Sequence, residues 1–256
     1  MKSARRPLLS NHNRCWIWGR NAVLETLRAN YWTILELLYS DRCEEAALRE
    51  AFDLAARFDV VITYVRDADI TKQCRSEDHQ GLAARMPPFP YGNVADLWKQ
   101  LPENPVLVML DRIQDSHNFG AIVRSVDVLG MHGVIVGTQE QSPVNSLVAR
   151  SSAGAVNFVP IVQTESLTAT AEELKERGFQ IVGASDHATQ PIYATDFRGP
   201  TVLIIGNEGR GIHPTLKSLC NHFVQIPVLG RVSSLNAAVS AGILFYEVLR
   251  QRRDGI

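Results

Sequence analysis

The sequence from Ile226 to Gly242 reads IPVLGRVSSLNAAVSAG. A short apolar run ends in a loop marked by proline and glycine. Two serines, a leucine and an asparagine then lead into a run of small residues. Small residues let backbones approach closely, and polar side chains at the start of a helix direct hydrogen-bonding groups into one shared space. We therefore predict a strand, a ligand-binding loop and a helix, in this order.

Two earlier segments follow the same plan of strand, loop and helix. The first, residues 111–124, contains Asn118 and Arg124, and the second is GNEGRG at 206–211. Each follows a continuous apolar run, and apolar strands that alternate with helices indicate a parallel sheet covered on both faces. Such sheets bind ligands in the loops beyond the carboxyl ends of their strands. All three loops are therefore candidates for one ligand site.

Composition limits the class of protein. The chain has 256 residues, of which 45% are apolar and 21% are charged, as expected for two globular domains. The net charge of −1 gives no support for a strongly basic nucleic-acid-binding surface, although a local basic footprint does not need a basic chain. Four scattered cysteines without metal-ligand spacing argue against zinc and disulfides and favour a cytoplasmic protein. No apolar run approaches the roughly 18 residues that span a membrane.

The segment MPPFPYG at 86–92 separates two patterns of elements. Its prolines remove backbone donors and restrict φ, so we predict a domain linker over 86–104. Residues 1–85 are predicted to form a small α/β domain. Residues 105–256 are predicted to form an α/β domain with a parallel sheet.

The first two loops carry candidate functional side chains. Asn118 fits as the N-cap of a helix that we predict to begin at Phe119, and Arg124 suits bidentate contact with a phosphate. A simple helix cap and an exposed arginine explain the same residues equally well. The glycine order in 206–211 is not that of a dinucleotide-binding loop. Glu208 lies between glycines, where it is either functional or a solvated loop carboxylate.

Together the three segments resemble the ordered motifs of the SpoU/TrmH family, a branch of the SPOUT RNA methyltransferases. The matching residues are Asn118-x-Gly120-Ala121-x-x-Arg124, Gly206-Asn207-Glu208-Gly209-x-Gly211, and Ile226-Pro227 with Ser233-Ser234-Leu235-Asn236. The segment 152–155, followed by Val159-Pro160, resembles a further family segment. Residues 19–27 and 79–81 are similar, more weakly, to the L30e/L7Ae-like substrate domain of ribosomal RNA 2′-O-methyltransferases. One departure is Ser116, where most members have proline.

The resemblance implies a C-terminal α/β/α domain with a deep trefoil knot, beside a small N-terminal L30e/L7Ae-like domain. It implies that the knotted loops bind S-adenosylmethionine and that a homodimer completes the site. By position, the cofactor would contact Gly206, Ile226 and Leu235. The catalytic group would comprise Asn118, Arg124, Glu208, Ser234 and Asn236, with no metal.

The implied reaction is S-adenosylmethionine-dependent methylation of a ribose 2′-hydroxyl in RNA, with a guanosine of 23S rRNA as the leading target. Alternatives are a tRNA 2′-O-methyltransferase, a methyltransferase that protects its own ribosome from an antibiotic, and a non-catalytic RNA-binding assembly factor of the same fold. The proton acceptor stays open between Arg124, Glu208 and a phosphate oxygen, because a guanidinium donates protons far more readily than it accepts them.

The RNA contacts predicted from sequence are the N-terminal domain and the two basic ends of the chain. Trp16 and Trp18 lie near Arg14 and Arg20, and this mixture of aromatic and basic residues suits base stacking. Packing of both tryptophans inside the small domain is the alternative.

Overall fold

The computed structural model describes residues 16–232 and 234–253, and contacts divide them into two units. The first unit comprises the described residues up to Pro90 together with Val144–Phe158, and the second comprises Tyr91–Pro143 and the chain from Val159 onward. The predictions for Ser233 and for the basic residues before Cys15 concern positions outside the described residues. The expected linker contains a helix, and its Leu97 is buried in the core of the second unit.

The elements follow one another in a largely alternating order. In chain order they are β1 (Trp16–Trp18), α1 (Arg20–Ala29), β2 (Glu36–Tyr39), α2 (Glu45–Arg57), β3 (Ile62–Tyr64), α3 (Asp67–Cys74), β4 (Leu82–Arg85), α4 (Val94–Trp98), β5 (Val106–Asp111), α5 (Ser116–Val128), β6 (Gly133–Gly137), α6 (Ser146–Ser151), β7 (Ile161–Thr164), α7 (Leu167–Glu176), β8 (Gln180–Ala184), β9 (Gln190–Pro191), β10 (Thr201–Gly206), α8 (Pro214–Lys217), β11 (His222–Gln225) and α9 (Ala237–Arg253).

The first unit is built on a mixed four-stranded sheet with the order β1-β4-β2-β3. Strand β4 pairs antiparallel with β1 and β2, and β2 pairs parallel with β3. Trp16 and Trp18 are both buried in a core cluster with Ile70 and Cys74. The prediction that these tryptophans offer stacking surfaces to RNA is therefore wrong, because their rings already pack inside the protein.

The segment Val144–Phe158 belongs to the first unit through close backbone contacts. A Cβ atom at Gly154 would lie 2.6 Å from Cβ of Glu25 on α1. Nearby, Asn157 Nδ2 donates a hydrogen bond of 3.1 Å to Thr26 Oγ1. The family-like segment at 152–155 therefore packs against α1, and its glycine is needed for that approach.

The second unit is built on a seven-stranded sheet with the order β7-β6-β5-β10-β8-β11-β9, and all of its strand pairs are parallel. Strands β5 and β6 are buried at every position, as the continuous apolar runs predict. Helices α4, α7 and α8 contribute to the core on one face, while α5 and α9 pack against each other. The predicted α/β class with a parallel sheet is confirmed.

Two further properties concern the described residues alone. None of their helices is long and apolar enough to cross a membrane. Within the same residues, His, Cys, Asp and Glu form no group of three or more that could hold a metal ion.

Substitution of glycine by alanine should lower the free energy of unfolding by different amounts at two positions of the first unit. Gly81 and Gly19 both have positive φ values, so alanine is strained at either position. A Cβ at Gly81 would overlap the backbone of Arg42 and Cys43, whereas a Cβ at Gly19 would come no closer than 3.6 Å to Asp78. We expect Gly81→Ala to destabilise the protein by about 3 kcal/mol or more and Gly19→Ala by about 1 kcal/mol in urea unfolding. Equal losses would contradict the close backbone contact at Gly81.

Candidate active site

Strand register brings the candidate loops to one edge of the large sheet. Strand β10 pairs with β5 so that Gly206 lies opposite Asp111, and both strands end at this level. The loops after β5 and β10 are therefore neighbours. The third loop follows β11 and leads into α9, which packs against α5. Three segments that are far apart in sequence thus reach the same side of the sheet.

The start of α5 differs from the prediction. The helix begins at Ser116 rather than Phe119, and Asp115 is its N-cap. Asp115 Oδ1 accepts hydrogen bonds from the backbone N–H groups of His117 and Asn118, at 2.6 and 3.2 Å. Asn118 is therefore not the cap but lies in the first turn, where its side chain is available for contacts with other loops.

The Asn118 side chain joins all three loops. Its Nδ2 donates to Glu208 Oε1, and its Oδ1 accepts from Asn236 Nδ2, both at 2.9 Å. Asn236 Oδ1 in turn accepts from the backbone N–H groups of Ala238 and Val239 at the start of α9. Because Asn236 uses its oxygen as a helix cap, only its amino group can face Asn118. Asn118 therefore turns its side-chain oxygen toward Asn236 and its amino group toward the Glu208 carboxylate.

The second loop is a tight turn closed by Asn207, a residue to which the sequence analysis gave no role. Asn207 Oδ1 accepts from the backbone N–H groups of Gly209 and Arg210, both at 3.0 Å, and Gly211 N donates to Asn207 O. A Cβ at Gly206 would lie 2.5 Å from the Gly211 carbonyl carbon. Glycine at 206 therefore serves this close return of the backbone, and Glu208 lies at the tip of the turn.

Asp111 and Arg112 form a second group that the sequence analysis did not identify. Asp111 is 3% exposed, and its carboxylate accepts hydrogen bonds of 2.9 and 3.1 Å from the Arg112 guanidinium. This hydrogen bonding raises the pKa of Arg112. Glu140, in the loop after β6, lies 4.0 Å from Arg112 and 3.2 Å from Arg210. A carboxylate directly after a buried strand was the only local signal of this group.

A cleft of about 400 Å³ adjoins these loops. Gly206, Ile226 and Leu235, the predicted cofactor contacts, all line it, as do Glu208, Ser234 and Asn236. The apolar side chains that line the cleft include those of Ile205, Ile212, Val224 and Leu244. Residues 226–232 and 234–235 make no backbone hydrogen bond to any other residue that the structure describes. A cleft lined by both apolar and polar side chains, with unpaired backbone groups, suits a nucleoside, whose flat base packs on apolar surface while its edge needs hydrogen-bonding partners.

Arg124 lies apart from the other predicted site residues. It is exposed on α5 and does not line the cleft, and its side chain has no hydrogen bond or ion pair to another described residue. Six residues separate it from Asn118, which places the two about 120° apart around the helix. Arg124 instead shares a helix face with Val128, whose side chain is 72% exposed.

Two of the basic residues near the C-terminus are engaged within the chain. Arg250 pairs with Glu247 at 2.8 Å. Arg252 donates to the backbone carbonyl oxygens of Phe197 and Gly199, and burial lowers its pKa. Arg252 is therefore occupied within the chain, and the contact of the basic C-terminal end with RNA stays a prediction.

Two family models match this chain, one for each of its two parts. The model of the SpoU rRNA methylase family matches residues 105–246, and the model of the RNA 2′-O ribose methyltransferase substrate-binding domain matches residues 16–92. YacO of Bacillus subtilis, whose name provisionally assigns it to the TrmH family of tRNA/rRNA methyltransferases, is 32% identical over 240 residues. That match covers 93% of this chain and 96% of YacO.

Two solved structures show how much of the chain is shared. AviRb from Streptomyces viridochromogenes, a SpoU methyltransferase in complex with AdoMet, covers 94% of this chain and 91% of its own, with 27% identity and a TM-score of 0.79. The TrmH/SpoU tRNA modifying enzyme of A. aeolicus covers 63% of this chain and 84% of its own, with 30% identity and a TM-score of 0.54. The fold is that of the SpoU RNA methyltransferases. The chain belongs to the SpoU rRNA methylase family.

The double role of Asn236 allows its two functions to be separated. Asn236→Asp keeps a good N-cap for α9 but cannot donate to Asn118 Oδ1. We expect the unfolding free energy to stay within about 0.5 kcal/mol of the wild type, while methyl transfer falls about tenfold or more. Thermal unfolding and an RNA methylation assay measure the two effects. Asn236→Ala is the matched control, because it loses both the cap and the donor and should also lose about 1 kcal/mol of stability. Normal methylation by Asn236→Asp would contradict the proposed order of hydrogen bonds.

Proposed function

We propose that this protein methylates a ribose 2′-hydroxyl of ribosomal RNA with S-adenosylmethionine as the methyl donor. The observation that carries this proposal is the hydrogen-bonded group of Glu208, Asn118 and Asn236 beside a cleft of apolar walls and unpaired backbone groups. A carboxylate held at the edge of a nucleoside-sized cleft is the arrangement that deprotonation of a weakly acidic hydroxyl requires.

The cleft has the properties that S-adenosylmethionine needs. When bound, this cofactor supplies a sulfonium methyl group, whose carbon is the electrophile. Gly206, Ile226 and Leu235 would hold it through backbone groups and apolar contact. Exclusion of water by Ile205 and Leu244 favours a reaction in which positive charge disperses.

Glu208 is the proposed acceptor of the hydroxyl proton. As the ribose oxygen bonds to the methyl carbon, the bond from that carbon to the sulfonium sulfur would break and S-adenosylhomocysteine would leave, while the hydroxyl proton would move from the ribose oxygen to the Glu208 carboxylate. Glu208 Oε1 is held by Asn118, and Oε2 has no partner among the described residues, so one oxygen stays available for the substrate. Asn118 and Asn236 orient the carboxylate, and Ser234 lies on the cleft wall within the same loop. A guanidinium is a poor acceptor, so we assign Arg124 to the adjacent phosphate.

In this proposal, Arg124 of one copy of the chain acts in the active site of a second copy. Four large hydrophobic side chains are exposed to solvent. They are Val128 on α5 and Val239, Ile243 and Tyr246 on α9. The three residues of α9 recur at helical spacing and form one stripe. A homodimer that covers these residues would bury the face of α5 that carries Arg124, and so bring Arg124 to the partner's cleft.

Ribosomal RNA is the substrate that the domain organisation favours. The family model that matches residues 105–246 is that of the SpoU rRNA methylases, whereas the A. aeolicus tRNA modifying enzyme covers only 63% of this chain. We propose that the first unit recognises the RNA, with a guanosine of 23S rRNA as the target, in the cytoplasm. Transfer of radiolabelled methyl groups to purified rRNA and tRNA tests this choice. Label in tRNA alone would overturn it, and absence of S-adenosylhomocysteine binding in calorimetry would favour a non-catalytic assembly factor.

Removal of Arg124 should separate catalysis from cofactor binding. We expect Arg124→Ala to lower kcat/KM for methylation about 100-fold or more, because a charged group that positions the phosphate is lost. The Kd for S-adenosylhomocysteine should change less than about twofold, because Arg124 is assigned to the RNA phosphate and not to the cofactor. Arg198→Ala, which removes another exposed arginine of the second unit, is the control and should retain activity. Near-normal turnover of Arg124→Ala would refute the assignment.

A mixing experiment tests the placement of Arg124 across the dimer. Arg124→Ala and Glu208→Gln should each be inactive alone. A mixed dimer contains one site with both residues intact if they come from different copies, so mixing should restore up to about half of the activity per mixed dimer. Absence of recovery in verified mixed dimers would place both residues in the same chain's site.

A further inference from the structure

The turn that carries Glu208 is held almost entirely by polar contacts. None of the residues 207–211 is buried, and the first buried side chain after them is Ile212. Apolar packing therefore cannot set the position of the turn tip. The hydrogen bonds of the turn lead to two residues at the end of β5, Asp111 and Arg112.

Asp111 is a buried carboxylate whose two oxygens both have partners. Oδ1 accepts from Arg112 Nε at 2.9 Å, and Oδ2 accepts from Arg112 Nη2 at 3.1 Å. Oδ2 also accepts from the backbone N–H of His213 at 2.6 Å. Burial of a carboxylate is costly unless it is paired and hydrogen-bonded, so this residue holds the guanidinium and the exit of the turn in one geometry.

Arg112 contacts the turn with its side chain and with its backbone. Its Nη2 donates to Gly211 O at 3.2 Å, and its carbonyl oxygen accepts from Asn207 Nδ2 at 2.9 Å. Its φ is +59°, a conformation that is costly for a residue with a Cβ. Surrounding contacts must maintain this conformation, and those with Asp111, Asn207 and Gly211 do so.

Asn207 completes the connection to Glu208. Its oxygen closes the turn through Gly209 and Arg210, and its amino group binds Arg112. Glu140 places a negative charge beside these residues, close to both Arg112 and Arg210. Asn207 thus closes the turn with its side-chain oxygen and attaches the turn to the residue after β5 with its amino group.

We propose that Asp111, Arg112 and Asn207 are positioning residues that hold the 207–211 turn so that Glu208 stays in reach of Asn118. The inference rests on the proposed function of Glu208. None of the three needs to contact the RNA or the reacting atoms, since they act through the backbone of the turn.

Hydrogen exchange tests the mechanical part of this proposal without the reaction. In the cofactor-free protein, Arg112→Gln should speed exchange of a peptide spanning 206–213 about tenfold, because the Asp111 and Gly211 contacts are lost. Arg198→Gln, which removes an exposed arginine near Asp196 in the same unit, should leave that peptide unchanged. Unchanged exchange in Arg112→Gln would overturn the proposal.

A double-mutant cycle tests whether the effect passes through Glu208. Arg112→Gln should lower kcat about tenfold in the wild-type protein but less than twofold in the Glu208→Asp variant. The shorter aspartate side chain already places the carboxylate out of position, so a displaced turn has little further effect on kcat. Multiplicative losses would show an independent effect and overturn the proposal. Normal kcat in Glu208→Asp alone would instead contradict the proposed function, while the exchange experiment still decides the positioning.

A milder variant protects the test against a failure to fold. Asn207→Asp keeps the acceptor for Gly209 and Arg210 but loses the donor to Arg112. It should show the same coupling to Glu208→Asp, with a smaller increase in exchange than Arg112→Gln. Full additivity in this variant would also overturn the proposal.

Discussion

The pairing of β10 with β5 places Gly206 opposite Asp111, and the rest of the site depends on this register. Both strands are buried and apolar, so a slip would expose their side chains and is strongly disfavoured. The register makes the two following loops neighbours. The Asn118 side chain can then bind Glu208 from one side and Asn236 from the other.

Stability and function are divided between different parts of the second unit. The sheet and its helices bury the apolar residues, whereas the site consists of loops that are joined by side-chain hydrogen bonds. The loop between β11 and α9 leaves its backbone unpaired within the described residues, and Leu229 is fully exposed there. Loops with few internal bonds open at low cost, which suits the entry and release of a ligand. The buried Asp111 carboxylate and its Arg112 partner instead hold the turn that carries Glu208.

Much of the fold was predictable from local patterns, but several contacts were not. Continuous apolar runs before Asp111 and before Gly206 identified the parallel sheet. The sequence pattern predicts Asn118 as the helix cap because it does not distinguish Asn118 from Asp115, three residues earlier. An acidic residue after an apolar run marks Asp111 in the sequence, but His213 and Gly211, the partners of Asp111 and Arg112 in the turn, lie about 100 residues away, so the role of the pair could not be predicted. The trefoil knot concerns the threading of the chain, about which hydrophobic periodicity says nothing, and it stays a prediction from the family resemblance.

The central claim is that the carboxylate of Glu208 serves methylation of a ribose in ribosomal RNA. The most direct measurement maps 2′-O-methyl groups across total RNA from cells with the gene, without it, and with only a Glu208→Gln copy. The account predicts that one ribosomal RNA position loses its methyl group on deletion, regains it with the wild-type gene and stays unmethylated with Glu208→Gln. An unchanged map after deletion, or full recovery with Glu208→Gln, would contradict the account.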